Sequence, residues 1–208
     1  MSHLARSAAI LAGGQATRFG GRDKSALVVD GRTILDRQIA ELASLTDDLI
    51  VVGGAESAAP DARLKGSRSN TRVVQDLIPG CGPLGGLHAA LTAARGAHVA
   101  VLACDMPYVT APFVAYLFSL AGGAEIVVPR TERGYHPLCA VYARACLDRV
   151  AARLAERRLK MTELLDEAAV RIVTADEIER FGDRHRLLAN VNTPTEFADL
   201  EALHSHKP

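Results

Sequence analysis

The chain has 208 residues, 49% apolar and 23% charged, the proportions of a globular domain with a sizeable core. Its 24 Lys and Arg are matched by 24 Asp and Glu, so there is no global basic footprint for nucleic acid, and with no Trp and only 4% aromatic residues an open stacking platform for bases is excluded too. No apolar run is long enough to span a bilayer, and Met1 to Ser7 lacks the apolar stretch of a secretory signal, so a cytoplasmic protein is expected.

In chain order, the apolar run Ala8 to Leu11 halts at Ala12-Gly13-Gly14, which reads as a buried strand entering a loop. That loop, Leu11 to Lys24, reads LAGGQATRFGGRDK. Glycine lets the backbone approach a ligand closely, exposed amides form an anion-binding concavity, and Arg18, Arg22 and Lys24 suit a polyphosphate. A solvated turn is the other reading. The spacing is neither that of a Walker A loop nor that of the dinucleotide fingerprint.

Ala26-Leu27-Val28-Val29 suggests a short extended segment ending at the Asp30-Gly31 turn. Thr33 then caps a helix whose apolar face is Ile34, Leu35, Ile39, Leu42 and Leu45, with Asp36 placed for a capping box. Leu49 to Val52 is a second buried strand, stopped by Gly53-Gly54, and strand, helix, strand is the βαβ pattern of a parallel sheet. Residues 55–72 read as a polar surface connection, with Arg63, Lys65, Arg68 and Arg72 as a solvated face. A short strand, Arg72 to Val74, leads to Asp76 and then to a loop rich in Pro and Gly, Gly82 to Gly86, feeding a helix from Leu87 to Arg95. Such a loop is either a ligand contact at a helix start or a tight turn.

His98 to Cys104 reads as a central strand ending at Asp105-Met106-Pro107. Ligands of open α/β sheets sit beyond strand carboxyl ends, and a carboxylate there suits a hard cation such as Mg²⁺; a turn or cap aspartate is the alternative. Thr110 is expected to cap a helix over 111–121, Glu125 to Pro129 to form a strand, and Arg130 to Tyr135 a charged loop. His136 either contacts a second substrate or is hydrogen-bonded in a strand-edge turn. A helix over 143–157 should bury Cys146, Leu147, Val150 and Leu154 and turn Arg149, Arg153, Arg157 and Arg158 to water. A short helix over 162–166, a strand over 170–173, Asn190-Val191-Asn192-Thr193-Pro194 and a last helix follow. The four cysteines form no C-x-x-C pair, which favours reduced thiols over zinc or disulfides. One domain over 1–208 is expected, with 1–7 and 204–208 as mobile ends.

Taken in order, Leu11 to Lys24, Asp76 with Gly82 to Gly86, Asp105 to Pro107, His136-Pro137 and Asn190 to Pro194 resemble the molybdenum cofactor guanylyltransferases over nearly the whole chain. The resemblance implies an α/β, three-layer, doubly wound, mainly parallel sheet of the Rossmann-like nucleotide-diphospho-sugar transferase type. It implies transfer of GMP from GTP to the terminal phosphate of Mo-molybdopterin, with Mg²⁺ as cofactor. Carried over residue by residue, GTP is contacted by Leu11, Ala12, Gly13, Gly14, Lys24, Gly53, Asp76, Gly82 and Asp105, and Asp105 also holds the metal. Arg18, Lys24 and Asp105 are the catalytic candidates; His136, Asn190 and Asn192 would meet the pterin. Gly53 departs from the family, which can place Asn there, so only its backbone is available. Cofactor-delivery proteins or acceptor apoenzymes are the implied protein partners. A cytidylyltransferase on the same pterin, a sugar-phosphate nucleotidyltransferase and a nucleotide-binding regulator without chemistry are the competing readings.

Overall fold

The computed structural model describes residues 6–12, 28–29, 31–53, 71–78, 80–191 and 195–196. At its centre lies β1 (Arg6–Leu11), paired in parallel with β4 (Leu49–Gly53) on one side and β6 (His98–Ala103) on the other. From β4 the sheet continues to β5 (Thr71–Gln75), also parallel. Beyond β6 come β9 (Cys139–Ala143), β7 (Ile126–Thr131) and β10 (Val170–Val173). Of this row, β9 runs antiparallel to both neighbours, while β7 and β10 are parallel to each other. A small ribbon, β2 (Val28–Val29) with β3 (Arg32–Thr33), stands apart, and β8 (Gly134–Tyr135) folds back on β7.

The central strands are apolar on both faces because both faces are covered. Ala8 and Ile10 look to one side, where they join Leu35, Ile39 and Leu42 of α1 (Ile34–Leu42) and Phe113, Val114 and Leu117 of α3 (Ala111–Leu120). Ala9 and Leu11 look to the other, against Leu84, Leu87 and Leu91 of α2 (Gly82–Ala93) and Val150 and Leu154 of α4 (Leu147–Ala155). Two short helices, α5 (Ala175–Glu179) and α6 (Arg184–Leu187), close the first side through Ile178 and Leu187. This is the expected three-layer, mainly parallel sheet. β1 opens at Arg6, and Ser7 is fully buried, so the strand starts inside the segment expected to be a mobile end.

Local chemistry explains several departures from the sequence reading. Thr33 does cap α1, accepting from the Asp36 amide at 3.0 Å, and its hydroxyl donates to the Asp36 carboxylate at 2.7 Å. Thr110 sits at the start of α3 but makes no side-chain cap; the Ala111 amide donates to Glu41 from α1 instead. The expected charged loop at 130–135 is a hairpin, with Arg130 opposite Tyr135 and Thr131 opposite Gly134. Arg72, expected to be solvated, donates to Asp48 at 2.6 Å and to the Ala93 carbonyl at 2.8 Å. Arg153 departs most: it is 1% exposed, held by Glu163, Glu167 and the Lys160 carbonyl. None of the four cysteines forms a disulfide, and all are buried.

Candidate active site

The strand order places a topological switch between β1 and β6, because the chain leaves β1 toward β4 and later returns to pair β6 on the opposite side. In open α/β sheets the carboxyl ends of the strands on either side of such a switch are the usual ligand position. Leu11-Ala12 leaves β1 there, and Cys104-Asp105 leaves β6. The two ends are tied, since the Cys104 amide donates to the Leu11 carbonyl at 3.2 Å. On the other flank, the Ala12 amide donates to Val52, and the Asp76 amide donates to Gly53 at 2.9 Å. Leu11, Ala12, Gly53, Asp76 and Asp105 therefore stand along one rim. Gly13, Gly14, Arg18, Lys24 and Asn192 lie outside the described residues.

Behind Asp76 the glycine-rich stretch behaves differently from the loop expected. Gly82 to Gly86 is already helix, the first turns of α2, so the helix begins well before Leu87. Gly82 adopts φ +58°, a conformation glycine takes without strain, and Pro83 fits the first turn, where its missing N–H is not needed. The next two glycines serve packing. A Cβ at Gly85 would lie 3.0 and 3.1 Å from the Asp76 carboxylate oxygens and 3.2 Å from the Ile78 carbonyl. One at Gly86 would lie 3.3 Å from Leu11 Cδ1. The helix start is thereby seated directly against the first strand and the Asp76 turn, in which the Ile78 amide donates to Asp76 Oδ1 at 3.0 Å.

Asp105 occupies the middle of the rim, half-buried, with its Oδ1 enclosed. Its own carbonyl accepts from the Val191 amide at 2.7 Å, which brings exposed Asn190 beside the Asp105 turn. His136 reaches the same rim by another route. Because β9 runs backward, its beginning meets the end of β6, and the Ala103 amide donates to the Leu138 carbonyl at 2.8 Å. The His136 ring nitrogen Nε2 is 2.9 Å from the Thr131 hydroxyl, so the strand-edge hydrogen bond is present. Burial pushes its pKa below the usual histidine value, and nearby Arg133 adds to this against Glu132, which favours the neutral ring.

The donor set suits a hard divalent cation held the way Mg²⁺ prefers, by one carboxylate with substrate phosphates and water completing the shell. Asp105 offers such a carboxylate. Asp76 follows β5, three strand positions from β6, roughly 14 Å away at normal strand spacing, too far to share an ion with Asp105. Among the described residues no group of three His, Cys, Asp or Glu side chains forms an all-protein cage. No helix among them is long and apolar enough to cross a membrane. Gln38, which the helical pattern of α1 left unremarked, also reaches this site: its side-chain amide donates to the carbonyls of Ala103 and Met106.

Comparison with known proteins adds to this geometry. The MobA-like NTP transferase domain matches residues 8–172. A protein of Pelotomaculum thermopropionicum named "Probable molybdenum cofactor guanylyltransferase" is 33% identical over 96% of this chain and 94% of its own length. A molybdenum cofactor guanylyltransferase of Desulfosudis oleivorans is 32% identical over 93% of each chain. The crystal structure of molybdopterin-guanine dinucleotide biosynthesis protein A from Archaeoglobus fulgidus shares the fold, with a TM-score of 0.77 at 23% identity, covering 97% of this chain and all of that one.

Proposed function

Since this chain belongs to the MobA-like NTP transferase domain family of nucleotidyltransferases, we propose that it transfers GMP from GTP to the terminal phosphate of Mo-molybdopterin, releasing pyrophosphate. The observation that carries the reading is the single rim shared by Leu11, Ala12, Gly53, Asp76 and Asp105, with His136 and Asn190 arriving at it from the other half of the sheet. A nucleotide laid across the switch point would have the acceptor on the β9 side of Asp105 and the base on the β4 and β5 side.

In the reaction an ionised oxygen of the pterin phosphate bonds to the α-phosphorus of GTP, and the bond from that phosphorus to the bridging oxygen of pyrophosphate breaks. A phosphate nucleophile carries no proton to remove, so no general base is required, and the catalytic task is positioning and neutralisation. Asp105 would hold Mg²⁺, which when bound supplies Lewis-acid polarisation of the α-phosphate. The backbone at Leu11 and Ala12, continued by Gly13 and Gly14, would line the phosphates. Arg18 and Lys24 would offset charge gathering on the departing pyrophosphate. Asp76, seated against α2, and the backbones of Gly53 and Gly82 would meet the nucleoside. Asn190, Asn192 and neutral His136 offer neutral hydrogen-bonding groups suited to a pterin edge.

Calorimetry of GTP and of CTP with Mg²⁺, followed by product analysis with molybdopterin, tests this. GTP should bind in preference to CTP, and Asp105→Ala should lower transfer by about 10²- to 10³-fold while leaving the fold intact. Wild-type transfer by that variant would remove the metal role from Asp105, and a preference for CTP would make the enzyme a cytidylyltransferase.

A further inference from the structure

Gln38 is a polar residue on an apolar helix face. It lies on α1 among Ile34, Leu35, Ile39 and Leu42 and is 1% exposed. Its Nε2 donates to the Ala103 carbonyl at 2.7 Å and to the Met106 carbonyl at 3.0 Å. Two carbonyl acceptors can be served only by the NH₂ end, so the orientation of the amide is settled by its partners. The other end, Oε1, is buried and has no hydrogen-bond partner among the described residues. An orphaned amide oxygen in a core costs stability, so the residue is retained here for what its NH₂ end does. What the amide achieves is local: its two bonds grip the backbone immediately before and after Cys104-Asp105. The same turn is fixed at its other groups by the Cys104 amide on Leu11 and the Val191 amide on Asp105. The stretch from 103 to 106 is thus tied to β1, to α1 and to the Asn190 segment.

We infer that Gln38 is a positioning residue, one that sets the aim of the Asp105 carboxylate toward a divalent cation by clamping the carbonyls on either side of it. This rests on the reading of Asp105 as the metal ligand. Groups that orient a ligand from behind change metal affinity or activity by about 10- to 100-fold when lost.

The test uses the full chain and Mn²⁺ as the probe, titrated by electron paramagnetic resonance in the presence of GTP, alongside thermal melting. Gln38→Leu keeps the size and removes both donors; Gln38→Glu keeps the shape and can donate only when protonated. Both should weaken Mn²⁺ binding by about tenfold or more. For Gln38→Glu, whose buried carboxyl stays protonated to unusually high pH, affinity should recover as pH falls from 8 to 6. In the wild type, metal affinity should not rise over that interval. If Gln38→Leu does not fold, the pH profile of Gln38→Glu carries the test. Should Asp105→Asn lose Mn²⁺ while the Gln38 variants bind it within about twofold of wild type and only melt earlier, Gln38 merely satisfies two buried carbonyls and the inference is overturned. Should Asp105→Asn bind Mn²⁺ as the wild type does, the metal reading itself fails and takes the inference with it.

Discussion

Replacing Gly85 by Ala sets two well-known effects against each other at the rim of the site. Glycine inside a helix is worth about 1 kcal/mol less than alanine, so on helix propensity alone the variant should be more stable. Its backbone shows no positive φ that would forbid a side chain. The new methyl, however, would meet the Asp76 oxygens at 3.0 and 3.1 Å and the Ile78 carbonyl at 3.2 Å, a few tenths of an ångström closer than such contacts comfortably allow. Asp76 cannot swing away freely, because the Ile78 amide holds its Oδ1 at 3.0 Å. Overpacking of this kind costs about 1–3 kcal/mol, which exceeds the propensity gain. The expected net loss is about 0–2 kcal/mol, or a melting temperature lower by up to about 4–8 °C in a chain of this size. Because Asp76 is the proposed nucleoside contact, loosening its carboxylate should also weaken GTP by about 1 kcal/mol, roughly fivefold in Kd. Thermal melting and calorimetric titration of GTP measure the two effects separately, with Asp76→Ala as the reference for complete loss of the carboxylate. A variant that melts about 2–4 °C higher than wild type and titrates GTP unchanged would refute the close-approach argument.

Arg153→Ala should destabilise by about 1–3 kcal/mol in urea unfolding, chiefly because it empties a buried site; the carboxylates it leaves are 41% and 30% exposed, and Glu167 keeps Arg158 while Glu163 keeps Lys160. Glu177 gives an acid-range test. Burial would raise its pKa, but the Thr174 amide, the Tyr116 hydroxyl and Arg171 hold it down at about 2, from an ordinary value of 4.5. Its contribution is complete above pH 4.5 and disappears as pH falls toward 2; the full linkage would be about 3 kcal/mol, and with a fifth of the side chain exposed about 1–2 kcal/mol is expected. The stability gap between wild type and Glu177→Gln should close over that window, and a gap independent of pH would count against the assignment. Burial pushes the Cys139 thiol up to about 12 and the Cys146 thiol up to about 11. With all four cysteines buried, a disulfide reagent such as dithionitrobenzoate should label the folded protein slowly and the urea-unfolded protein fully; rapid labelling of the folded protein would contradict this packing.

The frame of the protein was readable because its central strands are apolar on both faces and end at Gly or Asp, so β1, β4 and β6 stood out as continuous runs with a site-like residue after each. Most of the rim followed from the same pattern. What escaped the reading were places where a residue plays against type. Gly85 and Gly86 look like loop punctuation, yet they sit in a helix, at positions where a Cβ would crowd Asp76 and Leu11. Arg153 falls on the polar stripe of its helix, but the 3₁₀ segment Met161–Glu167 folds over it and brings two carboxylates, a tertiary event that no helical period encodes. Gln38 was hidden for the opposite reason: its neighbours define an apolar face, and only the strand end across from it reveals why an amide belongs there. The hairpin at 130–135 carries charged residues that read as loop, but Gly134 at φ +105° lets the chain reverse and pair.

The reversed direction of β9 has a consequence for how this scaffold can diversify. Had that five-residue strand run with its neighbours, the segment preceding it would open on the far edge of the sheet, about 17 Å from Asp105. As built, the connection over 132–138 reaches the rim from one half of the domain, while every described group on the β4 and β5 side comes from the other. Lengthening or shortening that connection would shift His136 relative to Asp105 and leave the pairing of β1, β4 and β5 untouched. The two halves of the rim can be retuned independently, the one proposed to hold the nucleotide and the one proposed to meet its acceptor.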